Sequence, residues 1–151
     1  MRIYLPVTLL DVDAAASRPD VDVRRAHAVT PALRELFPDE DDEGLEYAAQ
    51  LAAADDSLDL LDRTTDAPRL RVVLSADVAD GAVTVLVDEI PSAVELAAPV
   101  PWAAVVCAHV DEPAAAGDVA DALTGDEEAV ERLDERDLLW YDATELAAIP
   151  R

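Results

Sequence analysis

The sequence predicts an α/β fold of the α+β kind. It reads as one two-layer domain, a mixed sheet of four or five strands covered mainly on one face by helices. Two periodicities and one length predict this. Ile3, Leu5, Val7 and Leu9 recur at every second position, the spacing of a half-buried strand. Leu45, Ala48, Ala49 and Ala52 recur at helical spacing, with Leu58 and Leu61 continuing the stripe. At 151 residues the chain is long enough to bury a core without disulfides or metal. No internal repeat or linker divides it, so residues 1–151 are read as a single domain.

The elements follow in order. Residues 2–9 form the first strand, and Pro6, which cannot donate to a ladder, predicts an edge, a bulge or an early end there. Residues 11–25 are polar, with a turn at Ser17-Arg18-Pro19-Asp20 and room for a short helix before it. Thr30 suits a helix N-cap and Pro31 the first helical position, which predicts a helix over 31–37 carrying Ala32, Leu33, Leu36 and Phe37. The acidic run 39–43 reads as a solvated loop and the first turn of the next helix, where negative charge meets the positive end of the dipole. It lacks the ordered spacing of a calcium loop. A long helix is expected over 43–62, with small alanines that let it approach a sheet closely.

Residues 69–78 read as a strand inside the sheet, because Leu70, Val72, Leu74 and Ala76 share one face and Val73 is apolar on the other. After a turn at Asp80-Gly81, residues 83–87 are a β-branched run able to pair back as a hairpin, and 93–97 is a weaker strand; one of these two is expected at an edge. Pro99 and Pro101 hold Val100 extended. Residues 103–110 read as a second central strand, 113–123 and 126–134 as helices with Val130 and Leu133 inward, and 138–142 as a last strand before a helical turn. Helices lying between strands suit crossover connections.

Charge is the strongest compositional feature. Thirty-four acids face eleven bases, for a formal net charge of −23. Every base is arginine; lysine and asparagine are absent and Gln50 is the one glutamine. A high-GC genome or a salt-adapted proteome accounts for that usage. A field of this sign repels nucleic acid and anionic membranes, which argues against direct binding to either. No apolar run reaches the ~18 residues of a membrane helix, and the N-terminus has no signal-peptide pattern. The single cysteine, Cys107, fits a reducing compartment, so the expected localisation is cytoplasmic.

Localised chemistry is sparse. Cys107, His109 and Asp111 alternate along an expected strand, so all three point to one face, and each is a competent metal ligand. The same residues offer a thiol–imidazole pair for nucleophilic catalysis. The competing reading is that Cys107 is a small buried hydrophobe and that His109 and Asp111 mark the strand emerging into solvent. His27 reads as a boundary residue before the helix at Pro31. The four glycines have no phosphate-cradling spacing, so no nucleotide cofactor is expected, and no residue is assigned as catalytic or cofactor-binding. Tyr4, Trp102, Trp140 and Tyr141 read as core or sheet-edge residues, with partner contact as the alternative, since such residues dominate interface hot spots.

Several segments in order resemble an uncharacterised family of short actinobacterial proteins, a domain of unknown function. They are residues 1–9, 28–35 (Ala-Val-Thr-Pro-Ala-Leu-Arg-Glu), 45–49, 71–78, Ala108-His109-Val110-Asp111 and 138–146. The resemblance implies a high-GC, cytoplasmic bacterial source and brings no activity, cofactor or catalytic residue. The expectation is a non-enzymatic interaction or regulatory protein with a highly acidic surface, acting on a protein partner or a second copy of itself. The alternatives are an acidic DNA mimic that occupies a basic groove, and a small metal- or thiol-dependent enzyme centred on Cys107, His109 and Asp111.

Overall fold

The computed structural model describes residues 1–151. Strand β1 (Arg2–Val7) leads into a short helix α1 (Leu9–Asp13) and a 3-10 turn at Ala14–Ala16. Strands β2 (Asp20–Val21) and β3 (Arg25–Ala28) precede helices α2 (Pro31–Leu36) and α3 (Asp42–Arg63). Strands β4 (Val72–Asp77), β5 (Val83–Val85), β6 (Ala93–Leu96), β7 (Val100–Pro101) and β8 (Val105–Val110) follow. Helices α4 (Ala116–Leu123) and α5 (Glu127–Asp134), strand β9 (Leu139–Asp142) and a 3-10 helix at Ala143–Ala148 complete the chain.

Seven strands form one sheet in the order β5-β6-β3-β1-β4-β8-β9, and β2 pairs with β7 in a separate two-stranded ribbon. Every pairing is antiparallel, which corrects the expected mixed sheet of four or five strands. The reason lies in strand order. α3 does make a crossover, and β3 and β4 run the same way. But β1 lies between them and runs opposite to both. The two extra strands of the main sheet come from β3, which the sequence does not announce, and from β5 and β6 both joining. β5 pairs with β6, not back with β4.

Pro6 sits in the middle of this sheet, not at an edge. Met1 and Val78 exchange both backbone hydrogen bonds, so alternate residues from Met1 onward bond to β4 while Arg2, Tyr4 and Pro6 turn their polar groups toward β3. The β1–β3 ladder ends at Tyr4. The missing donor of Pro6 therefore falls beyond the ladder and costs nothing there.

The layering also differs from the expected two. One face carries Ile3, Leu5, Val7, Ala26, Ala28, Val72, Leu74, Ala76, Val94, Ala108 and Val110, within an apolar cluster of 19 buried residues. Val12 of α1, Val21 and Val100 of the ribbon, and Ile149 close it over. The opposite face receives α3 through Leu45, Ala49, Ala53 and Ala54 against Tyr4 and Val73. α4 and α5 dock on the end of α3 through Leu61, Val119 and Leu133. The sheet is thus the middle of three layers.

The helix starts are as the residues dictate. The Thr30 hydroxyl accepts from the Leu33 N–H at 3.1 Å, and the Asp41 carboxylate accepts from the Gly44 N–H at 2.9 Å. Inside α3, Ser57 donates to the Val7 carbonyl at 2.7 Å and accepts from the Val72 N–H at 2.9 Å, pinning the helix to β1 and β4. Leu33 is the buried residue of α2, while Leu36 and Phe37 are exposed; on α5 Val130, expected inward, is exposed, and Ala129 takes the inward place beside Leu133. No helix is long and apolar enough to cross a membrane.

Candidate functional site

α3 is faced with alanine, so it lies close to the sheet along its middle and leaves a cleft near each end. The cleft at its N-terminal half has a volume of about 390 Å³ and lies between α3 and strands β1, β4, β8 and β9. β8 turns Cys107 and His109 into it, as their spacing predicts, and β4 adds Ser75, the register partner of Cys107. His109 Nε2 lies 3.1 Å from Ser75 Oγ and 3.6 Å from Cys107 Sγ. Burial lowers the His109 pKa, and the nearby Arg2 guanidinium lowers it further, so the ring is neutral at neutral pH and its Nε2 shares hydrogen bonds with these neighbours. Cys107, however, is only 4% exposed, so the pair does not present its sulfur to a substrate.

Asp111 does not join them. It lies just past the end of β8, where its carboxylate accepts from the Arg71 backbone N–H at 2.8 Å and from Arg71 Nε and Nη2 at 2.9 Å each. Both partners are buried, and Arg71 also reaches the Leu133 carbonyl at 3.2 Å. The ion pair ties β4, the end of β8 and α5 together. No group of three or more His, Cys, Asp and Glu side chains is placed to hold a metal ion.

The four aromatic candidates divide between the two faces of the sheet. Tyr4 is buried beneath the cleft; burial pushes its phenol pKa up, and the Glu46 carboxylate pushes it further. Trp140, the register partner of His109, stands 57% exposed at the cleft mouth. Trp102 and Tyr141 pack on the sealed apolar cluster behind the sheet, where the Trp102 indole N–H is buried without a partner. They form no common patch with Tyr4 and Trp140.

The cleft has features the spacing of single residues did not announce. Tyr47 of α3 lines it, 48% exposed, and its hydroxyl lies 3.4 Å from an Asp137 carboxylate oxygen. Glu43 and Glu46 flank it on α3. The one base that lines this cleft, Arg2, is engaged by Asp77 at 2.6 Å. Cations are drawn both to exposed aromatic faces and to carboxylates.

A second polar group was missed because its members lie far apart in sequence. His27 belongs to β3, not to a boundary before α2. Its Nδ1 lies 2.8 Å from Ser92 Oγ and its Nε2 lies 2.8 Å from Asp56 Oδ2. Arg25 Nε also donates to Asp56 Oδ2 at 2.8 Å. Burial pushes the Asp56 carboxyl up, but the bonds from His27 and Arg25 outweigh it and hold the group below the ordinary carboxylate range. The serine, histidine and aspartate follow the order of a catalytic triad with the exposure reversed. Ser92 and His27 are buried and Asp56 is the member nearest solvent, so the group braces α3 on the sheet and offers no nucleophile.

Acids are not spread evenly. Residues 35–66 and 111–137, which carry α3, α4, α5 and their flanking turns, hold 23 of the 34 acids in 59 of the 151 residues. The helical layer is the negative side of the molecule. Neither a curated protein nor a solved structure matches the chain. A family model does, across residues 1–149, and the chain belongs to that family, DUF6912, a family of unknown function.

Proposed function

We propose that the protein is a non-enzymatic binding module that receives an arginine- or lysine-rich segment of a protein partner on its helical side. One observation carries this reading: Trp140 and Tyr47 stand exposed in one cleft flanked by Glu43 and Glu46, with Asp137 beside Tyr47, on the face that holds most of the acids. A guanidinium over either ring gains roughly 0.5–2 kcal/mol and keeps carboxylates within reach. Long-range attraction from the acidic helices would speed encounter.

The test is a titration of the Trp102→Phe protein, whose remaining indole is Trp140, with an arginine-rich peptide. Binding should change the Trp140 emission, and Trp140→Ala, followed by calorimetry, should weaken the affinity roughly three- to tenfold at unchanged net charge. Equal affinity for wild type and Trp140→Ala would reduce the interaction to unspecific charge and remove the cleft from it.

The concentration of acids on the helical side supports a second reading, mimicry of a nucleic-acid backbone. It differs in requiring that a DNA-binding partner be displaced from the protein by duplex DNA, with an affinity that falls steeply as salt rises.

A further inference from the structure

The cleft at the other end of α3 is of a different kind. It opens between the last two turns of α3 and the chain from β2 to β3, with a volume of about 540 Å³. That is the size of a small-molecule site, but such sites are mostly apolar, and here only two of the ten lining residues are hydrophobic. Three arginines, Arg24, Arg25 and Arg63, face four aspartates across it. On a chain of net charge −23, this is a place where the two signs nearly balance.

Two of these three arginines are also left without a carboxylate partner. Acids outnumber bases threefold, and seven of the eleven arginines form ion pairs. Arg24 and Arg63 form none, although they share the cleft with Asp22, Asp56 and Asp59; Arg63 Nε reaches only the Asp59 backbone carbonyl, at 3.4 Å. Its floor is fixed in advance. Asp56 receives both His27 and Arg25 on Oδ2, which leaves Oδ1 without a protein partner, and His27 is wholly buried and tied to Ser92. A lone anion would meet the repulsion of the whole molecule, and a lone cation would meet three guanidiniums. A ligand carrying both signs satisfies both walls.

We propose that this cleft binds a small zwitterion of the free amino acid class. The carboxylate lies on the Arg24 and Arg63 guanidiniums, whose planar forks suit it. The ammonium lies toward Asp56 Oδ1 and the neighbouring Asp22 or Asp59. The site is separate from the aromatic cleft, so the two stand or fall independently.

The experiment uses the full chain. Each free L-amino acid is titrated in turn while the Arg24 and Arg63 side-chain Nε–H resonances are followed by NMR, with calorimetry for affinity. The amino acid that binds is then compared with its N-acetyl derivative, which lacks the ammonium, and its amide, which lacks the carboxylate. Each derivative should bind roughly tenfold or more weakly, as should Arg24→Gln and Arg63→Gln, because each loses a charge-assisted contact. Trp140→Ala should bind as wild type does. Both arginines are exposed, so these variants fold, which circular dichroism checks. Absence of any shift with every amino acid overturns the proposal. So does equal binding of the N-acetyl form, which would mark a plain anion site, or of the amide, which would mark a plain cation site.

Discussion

The two faces of the central sheet are built from the same strands and behave oppositely. On β1, Ile3, Leu5 and Val7 enter the sealed cluster, while Arg2 and Tyr4 face the helical side. On β8, Ala108 and Val110 are sealed in, while Cys107 and His109 line a cleft. On β3, Ala26 and Ala28 are sealed in, while Arg25 and His27 hold Asp56. The sealed face is held mainly by apolar burial, with the Arg151–Asp13 ion pair at its rim. The helical face contains polar groups that need partners, and a helix faced with alanine is too slim to cover all of them. The period-2 alternation of the strands puts the apolar residues on one face and the polar clefts on the other.

That contrast can be broken from either side, and the largest effect belongs to the helical one. Asp111→Ala leaves Arg71 charged and buried without its partner, so urea unfolding should show a loss of about 3–5 kcal/mol. Replacing the pair together, as Arg71→Met with Asp111→Leu, should recover most of it, which would show that the pair fixes geometry more than it adds stability. On the sealed face, Leu74→Ala should cost about 3 kcal/mol by the same measurement, since Leu74 is completely buried and its neighbours are strands that cannot collapse inward. Ser57→Ala removes both bonds that pin α3 and should cost about 2 kcal/mol, with faster amide exchange at Val72.

Acid should reveal the helical face first. The His109 pKa lies below 6.5 in the folded protein, so just under that pH the unfolded chain binds more protons. Stability is therefore lost as the pH falls below 6.5. The wild-type urea midpoint should drop relative to that of His109→Gln, and the two should run parallel above 6.5. Asp56 acts lower on the scale: its folded value is depressed from 3.8, so its contribution is present above that value and is lost as the pH falls through the depressed one. The smallest effect should be Trp140→Ala, under about 0.5 kcal/mol in stability, because the indole is exposed. A large loss there would place Trp140 with the sealed face in kind.

The long elements were legible because their periodicities are strong. Strands 2–9, 69–78 and 103–110 and the helix over 43–62 all appear close to their expected bounds. β3 was not, because Arg25-Ala26-His27-Ala28 has no β-branched or large apolar residue; it is a strand because β1 and β6 flank it. The antiparallel order was hidden for a related reason, since nothing local states that β1 inserts between the ends of the α3 crossover. Within the site, Cys107 and His109 were placed on one face by spacing alone. Asp111 was drawn away by Arg71, 40 residues distant, and no spacing rule carries that information. Tyr47 lay unnoticed among the charges of α3, because exposure at a cleft depends on what stands opposite.

The central position of β1 has a consequence for biosynthesis. Roughly 65 residues separate its end at Val7 from the start of β4 at Val72. At about 5–20 residues per second, a ribosome needs roughly 3–13 s to cover that distance. For that interval Ile3, Leu5 and Val7 form an apolar strand whose main partner does not yet exist. Its β4-facing edge carries the N–H groups of Ile3, Leu5 and Val7, and the Arg2 charge at its head is the feature that discourages that edge from pairing with another nascent chain. Pro6 turns its missing donor toward β3, so the waiting edge stays open along its whole length until β4 is made.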